Sequence, residues 1–516
     1  MSPTFKSLIL TTTLLGNASL CAAQLTPQST TQSPPAGAAA TAIHAEHPQE
    51  RRLSEKIVRE NVALARNAYA DIHPGYTRFT DVATLDAAWQ AILERNQREA
   101  GLSVGDFYLE ISAVLAQIRC DHTKAELPRD LAKARDTDAA YLPLSWTIVD
   151  ERALIRSAPE GSPVRAGDEI LSIDGRSIDE LRTALHPYLP VDGYNDHVRD
   201  TEMGASGEFK GGAVDHFGAL LWDVPATATL DLESPDGEQW TIQLDRVGFK
   251  AWSALNANAG RRNFKDAVSL TRIGDNGAVL RVDTFVNYRE PVDVDTIYGP
   301  VFEALKSEGR DHLILDLRRN GGGSTEASQG LFSYLISEKR RMKTADIMKT
   351  IDHDAYVDYI STWEQRAINP PRFAFRKTDQ GEYRLRGMFS DETDRIEPAS
   401  SRFDGKLTIL TSRNNSSGST NLIATLRAAR DVTLIGEKTG GNPAGPTAGT
   451  IFFLTLPESN IRLRVPVFRF ENNSGPVEDG IGLEPDIAAP DTIDSLREGR
   501  DPALEAAIAL ISDQDD

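Results

Sequence analysis

Residues 406–436 read KLTIL, TSRNNSSGS, TNLIATLRAAR and, after Asp431, VTLIG. An apolar run, a knot of small polar residues, a helical stripe and a second apolar run predict strand, turn, helix and strand. Strands joined by a helix lie parallel, since a tight hairpin serves only antiparallel neighbours. The crossover is then right-handed and the helix covers one face of the sheet. The rhythm begins earlier. AVSLTRI and GAVLRVDTF flank residues 274–277 as a hairpin, and a helical pattern near 301–305 leads to HLILDL. RRNGGGS breaks that strand before another helix starts near Glu326.

The rest of the 516 residues divides by composition, at a length that suggests roughly three domains. Residues 1–23 carry Lys6, a mostly apolar stretch and a small-residue CAA, the outline of a signal peptide. That stretch is too short to span a membrane, and no other approaches one, so the mature chain is expected to have no integral membrane segment. Loss of Cys21 with it would leave Cys120 alone and no intrachain disulfide, which suits a bacterial periplasm or exterior. Residues 24–46, rich in Pro, Thr, Ser and Ala, read as a disordered spacer. Residues 47–135 read as an N-terminal helical domain. Its clearest stripe is Phe107, Ile111, Val114, Leu115 and Ile118, and CDHT follows directly. His122 therefore falls at or just beyond a helix end. Residues 140–250 contain AGDEILSIDGRSIDEL, similar to the C-terminal half of a PDZ domain, and residues 186–223 read as an insertion in it. Residues 265–512 form the expected α/β core, with the polar stretch 342–402 read as a lid.

A net charge of −20 argues against a nucleic-acid partner, because phosphate binding needs a basic face. No HExxH motif occurs, and HAEH at 44–47 lies in or beside the spacer, so no metal is expected. Nothing suggests a cofactor.

Chemistry is best sought at the strand–helix junction, where Ser412, Ser416, Ser417 and Ser419 gather. Backbone N–H groups at a helix N-terminus lack partners and favour negative charge, so an oxyanion formed there is stabilised. The bland alternative is helix capping, for which Ser and Asn are the usual residues. The GxSxG elbow is not matched, since Asn415 and Ser419 replace its glycines. DLRRNGGGS, 316–324, offers glycine N–H groups as further donors, or else is a plain loop or an anion nest. It is no Walker A loop, for want of the Lys-Ser/Thr pair.

The segments LILDLRRNGGG, TSRNNSSGSTNLIATL, LIGEKTGG and DGIGLEPDI, in this order after CDHT and the PDZ-like stretch, resemble the C-terminal processing (tail-specific) serine peptidases. The resemblance implies a crotonase-like α/β core and a protein or peptide substrate. It puts the nucleophile on Ser417 and the oxyanion donors on Gly418 and Gly322. Asn442 stands where those enzymes keep a dyad lysine, and Lys438 falls on an earlier, usually non-catalytic position. The branch similar to the tricorn core protease and the retinoid-binding-protein repeats also lacks that lysine. There the resemblance implies His122 as base and Asp479 as its orienting acid, with Glu478 as the neighbour that could replace it. A histidine titrates near neutrality, and a carboxylate fixes its tautomer and stabilises the imidazolium.

The expectation is an exported serine endopeptidase. Two alternatives stay open: a non-catalytic ligand- or peptide-binding protein on the same scaffold, and a Ser417–Lys438 dyad. LPLSWTIV, 142–149, lacks the glycine-rich loop with which PDZ domains hold a terminal carboxylate, so general peptide recognition is expected of that region.

Overall fold

The computed structural model describes residues 47–206, 209–256 and 263–512. The expected signal peptide and spacer lie outside them. Six strands form the central sheet in chain order: Val268–Ile273, Gly277–Val282, His312–Asp316, Lys406–Thr411, Thr433–Gly436 and Ile487–Ala488. The first pair is antiparallel and every later neighbour parallel, as the crossover pattern requires. Leu313, Leu315, Leu407, Ile409 and Leu434 pack with Phe302, Leu331, Leu422 and Leu426 in one core. Ile314, Leu410 and Ile435 pack instead with Ala503, Ala507 and Ile511, from the helix Pro502–Ser512. Burial on both faces explains why these strands are apolar without alternation.

A second sheet has the order Ile360–Ser361, Thr447–Thr455, Arg462–Asn472, Lys343–Met348, Tyr383–Leu385, Phe375–Lys377. The stretch 342–402 is thus no irregular lid, because it supplies four of these strands. Polar composition hid the inner one. Lys343 and Asp346 are buried there as an ion pair at 3.0 Å, between buried Ala345 and Ile347. Ala125–Glu126 pairs with Arg462 and Leu463 of the same sheet, which fastens the chain just after CDHT.

A third sheet joins Ser145–Val149, Arg152–Ser157, Glu169–Ile173, Thr227–Glu233 and Gln239–Asp245, with Arg176–Ser177 at its side. The helix Ile178–Leu185 follows, opened by a capping box between Ser177 and Glu180. The N-terminal helices Glu55–Ile72, Val82–Glu99 and Val104–Gln117 share a core with both of these sheets, through Tyr69, Phe107, Ile155, Leu230, Leu454 and Val465. Tyr69 Oη donates to Arg464 O at 2.9 Å across that junction. No helix among the described residues is long and apolar enough to cross a membrane.

Leu315 is fully buried in the central strand. Leu315→Ala should lower stability by about 2–5 kcal/mol, read as a lower urea midpoint at unchanged m-value.

Candidate active site

The four serines separate by what their hydroxyls touch. Ser412 Oγ donates to Arg318 O at 2.6 Å, and Ser416 Oγ to Gly321 O at 2.9 Å. Ser419 Oγ accepts from Asn415 Nδ2 at 3.1 Å. The Ser417 hydroxyl has no hydrogen-bond partner among the described residues. Ser416 is the residue before the helix Ser417–Ala429, yet its side chain makes no cap bond. The capping alternative is therefore not what these serines do. Ser417 itself has φ +46°, a left-handed conformation that non-glycine residues adopt at a cost of order 1–3 kcal/mol. Strand, strained serine and helix N-terminus are the geometry of a nucleophile elbow, formed here without its glycines.

Asn415 holds this turn. Its Nδ2 donates to Leu317 O at 2.6 Å and to Asn320 O at 3.1 Å, and its Oδ1 accepts from Ser412 N at 2.8 Å. Those bonds draw the glycine loop up to the serine. A β-carbon placed on Gly322 would stand 3.0 Å from Ser417 Cβ and 2.9 Å from Gly418 N. Gly322 lies beside Ser417, but its N–H is committed to Asn320 Oδ1 at 2.8 Å. The loop's available donor is the next residue. The Gly323 and Gly418 N–H groups have no acceptor among the described residues, and a β-carbon on Gly418 would lie 3.7 Å from Gly323 N. Sequence could not separate Gly322 from Gly323, since Asn320 makes the choice.

CDHT follows the helix Val104–Gln117 as a turn, in which Cys120 Sγ donates to Thr447 O at 3.3 Å. His122 is half-buried, and its Nδ1 is buried without a partner. No hydrogen bond joins its side chain to Ser417 or Asp479 among the described residues. Asp192 lies beside it instead. Cys120 Sγ, a ring nitrogen of His122 and a carboxylate oxygen of Asp192 all fall within 4.8 Å of one another. Burial pushes the Cys120 thiol up to about 12, and the Asp192 carboxylate adds to that shift.

The expected orienting acid is engaged elsewhere. Asp479 accepts from Arg78 Nε at 3.0 Å and Nη2 at 2.5 Å, and from Asn442 Nδ2 at 2.8 Å. Glu478 is exposed and makes no side-chain bond among the described residues. Asn442, at the dyad-lysine position, is buried, and its Oδ1 accepts from Gly480 N and Ala444 N, both at 3.1 Å. Lys438 Nζ pairs with Glu484 at 2.9 Å. Next to Asn442, Gly441 packs so tightly that a β-carbon would fall 2.8 Å from Ser416 Cα and 3.1 Å from Ser417 N. A continuous series of contacts thus runs from Ser417 through Gly441, Asn442 and Gly480 to the loop carrying Asp192, and on to His122.

A strained serine at a helix N-terminus, beside backbone donors without acceptors on an α/β sheet, is an arrangement that a serine-type peptidase can use. Residues 277–489 match the model described as peptidase family S41, so the chain carries a domain of that family. Among solved structures, mature CPAF is similar over 88% of this chain and 96% of its own, with TM-score 0.60 and 16% identity. Mature CPAF complexed with lactacystin is similar over 88% and 97%, with TM-score 0.58 and 16% identity. At that identity the likeness is one of fold.

Two buried histidines near these elements set a pH dependence. Burial first, and then Lys349 for His73 and Arg135 for His216, brings both imidazoles from 6.5 down to about 3. Between those values the unfolded chain binds more protons than the folded one, so stability is lost as pH falls below about 6.5. Each contributes up to about 1.4 kcal/mol per pH unit. Urea midpoints from about pH 4 to 7 should rise with pH, and His73→Gln should flatten that slope.

Proposed function

We propose that the protein is an exported serine endopeptidase in which Ser417 is the nucleophile and His122 the general base. The observation that carries this is the Ser417 hydroxyl, which alone of the four is unpartnered and stands on left-handed backbone. Ser417 Oγ attacks the scissile carbonyl as His122 takes its proton. The N–H groups of Gly323 and Gly418 receive the oxyanion in place of a Gly322–Gly418 pair. His122 then returns the proton to the leaving amine. Nucleophile and base in such sites often meet only when substrate closes them. The ion pair of Lys438 with Glu484 supports His122 over Lys438 as the base. The PDZ-like sheet, built from Ser145–Val149 through Gln239–Asp245, recruits the polypeptide by extended-chain contacts. Export rests on the signal-peptide pattern of residues 1–23.

Cleavage of an unfolded protein by the mature chain tests this. Ser417→Ala and His122→Ala should each lose at least about 10³-fold in kcat, and Lys438→Ala should stay within about threefold, as for removal of a partly exposed ion pair. Wild-type protein inert toward all substrates would favour the binding-protein alternative, and loss on Lys438→Ala with His122→Ala active would favour the dyad.

A further inference from the structure

We propose that Asp192, and not Asp479 or Glu478, is the carboxylate that orients His122. The inference rests on the proposed role of His122 as base. A catalytic imidazole needs an acceptor on its far nitrogen to fix its tautomer and stabilise the imidazolium. His122 Nδ1 is buried and unpartnered, and so is Asp192 Oδ2. A ring nitrogen of His122 and a carboxylate oxygen of Asp192 lie within 4.8 Å of each other, and orphaned groups of complementary kind on two side chains so close are costly unless something joins them. A ring rotation or a small loop shift that brings them to roughly 3 Å makes the bond and satisfies both.

The position of Asp192 is built. Its other oxygen, Oδ1, accepts from Asp121 N at 3.1 Å, one residue before the histidine. Gly193 N donates to Arg119 O at 3.0 Å, and Tyr194 N to Gly480 O at 2.8 Å. Asn195 Oδ1 accepts from Gly482 N at 2.8 Å. Gly193 has φ +59°, and a β-carbon there would fall 2.3 Å from Gly480 Cα. The loop is therefore wedged between the CDHT turn and the DGIG segment. Burial raises the Asp192 carboxylate and Asp121 adds to it, while His122 and Arg78 oppose the shift. Asp479 meets none of these conditions, because Arg78 and Asn442 already bind its carboxylate, which is half exposed.

Asp192→Asn isolates the charge, since an amide oxygen can still accept from Asp121 N. Its kcat should fall about 10²–10⁴-fold with KM within about threefold, melting temperature should be retained, and Asp192→Glu should recover part of the loss. Asp479→Asn and Glu478→Gln should each lose less than about tenfold. Asp192→Asn within tenfold of wild type, or Asp479→Asn as damaging as Asp192→Asn, would overturn the assignment. Should Asp192→Asn not fold, the downfield proton resonance of His122 Nδ1–H decides. Its persistence in Asp479→Asn supports Asp192, and its loss there overturns it. An active His122→Ala would instead strike down the base itself, whereas an inert His122→Ala beside an active Asp192→Asn rejects only this inference.

Discussion

Everything at the site depends on one uncomfortable residue. Ser417 holds φ +46° with a β-carbon, a conformation worth of order 1–3 kcal/mol against it. The surroundings must over-determine it, and Asn415 is the main means. Its side chain makes four hydrogen bonds, to Leu317 O, Asn320 O, Ser419 Oγ and Ser412 N, while its carbonyl accepts from Gly440 N and Gly441 N. At about 0.5–1.5 kcal/mol net each, these bonds are of the size needed to offset the strain. The residue that breaks the GxSxG pattern is therefore the one that makes the elbow possible. It ties together the ends of two parallel strands and so holds the donor loop against the serine.

Asn442 does for the outer loops what Asn415 does for the inner ones. A lysine there would bring one charge and no acceptor, whereas the amide offers both donor and acceptor. It spends both, on Asp479 and Gly445 O through Nδ2 and on Gly480 N and Ala444 N through Oδ1. A position that could carry a base becomes a clasp between the strand ends of the core and the DGIG segment. With Lys438 paired to Glu484, the proposed base comes from outside the central sheet.

Legibility in the sequence followed the range of the interactions. The parallel strands, the hairpin at Val268–Val282 and the helix beginning at Ser417 were readable because periodicity and turn chemistry act within a few residues. The same local logic gathered four serines at the junction, and it was the resemblance to the tail-specific peptidases that picked Ser417 among them. The choice of Gly323 over Gly322 depends on where Asn320 points, and the occupation of Asp479 on Arg78, 401 residues away. The strand Lys343–Met348 was misread because a buried Lys343–Asp346 pair looks like surface in one dimension. The acidic turn at Asp192 sat in what read as an insertion. The one local hint was an Asp-Gly step, which ordinarily means no more than a turn.

That last miss has a structural reason. The serine and its donors belong to the central sheet, but His122 is delivered by the N-terminal helices and Asp192 by residues inserted beside the third sheet. The helices are fixed to the second sheet by Ala125–Glu126 and by Tyr69, and the Asp192 loop is wedged against Gly480. No single layer carries a complete site. The helices and the third sheet share one core, and the central sheet has its own, so the proposed site is assembled across two cores. His122 Nδ1 and Asp192 Oδ2, both without partners, come from a turn after the N-terminal helices and from the inserted loop. On the proposed assignment, joining these two unpartnered groups is the last step in completing the site, and it couples the inserted loop, which Gly193 wedges against Gly480, to the turn that carries His122.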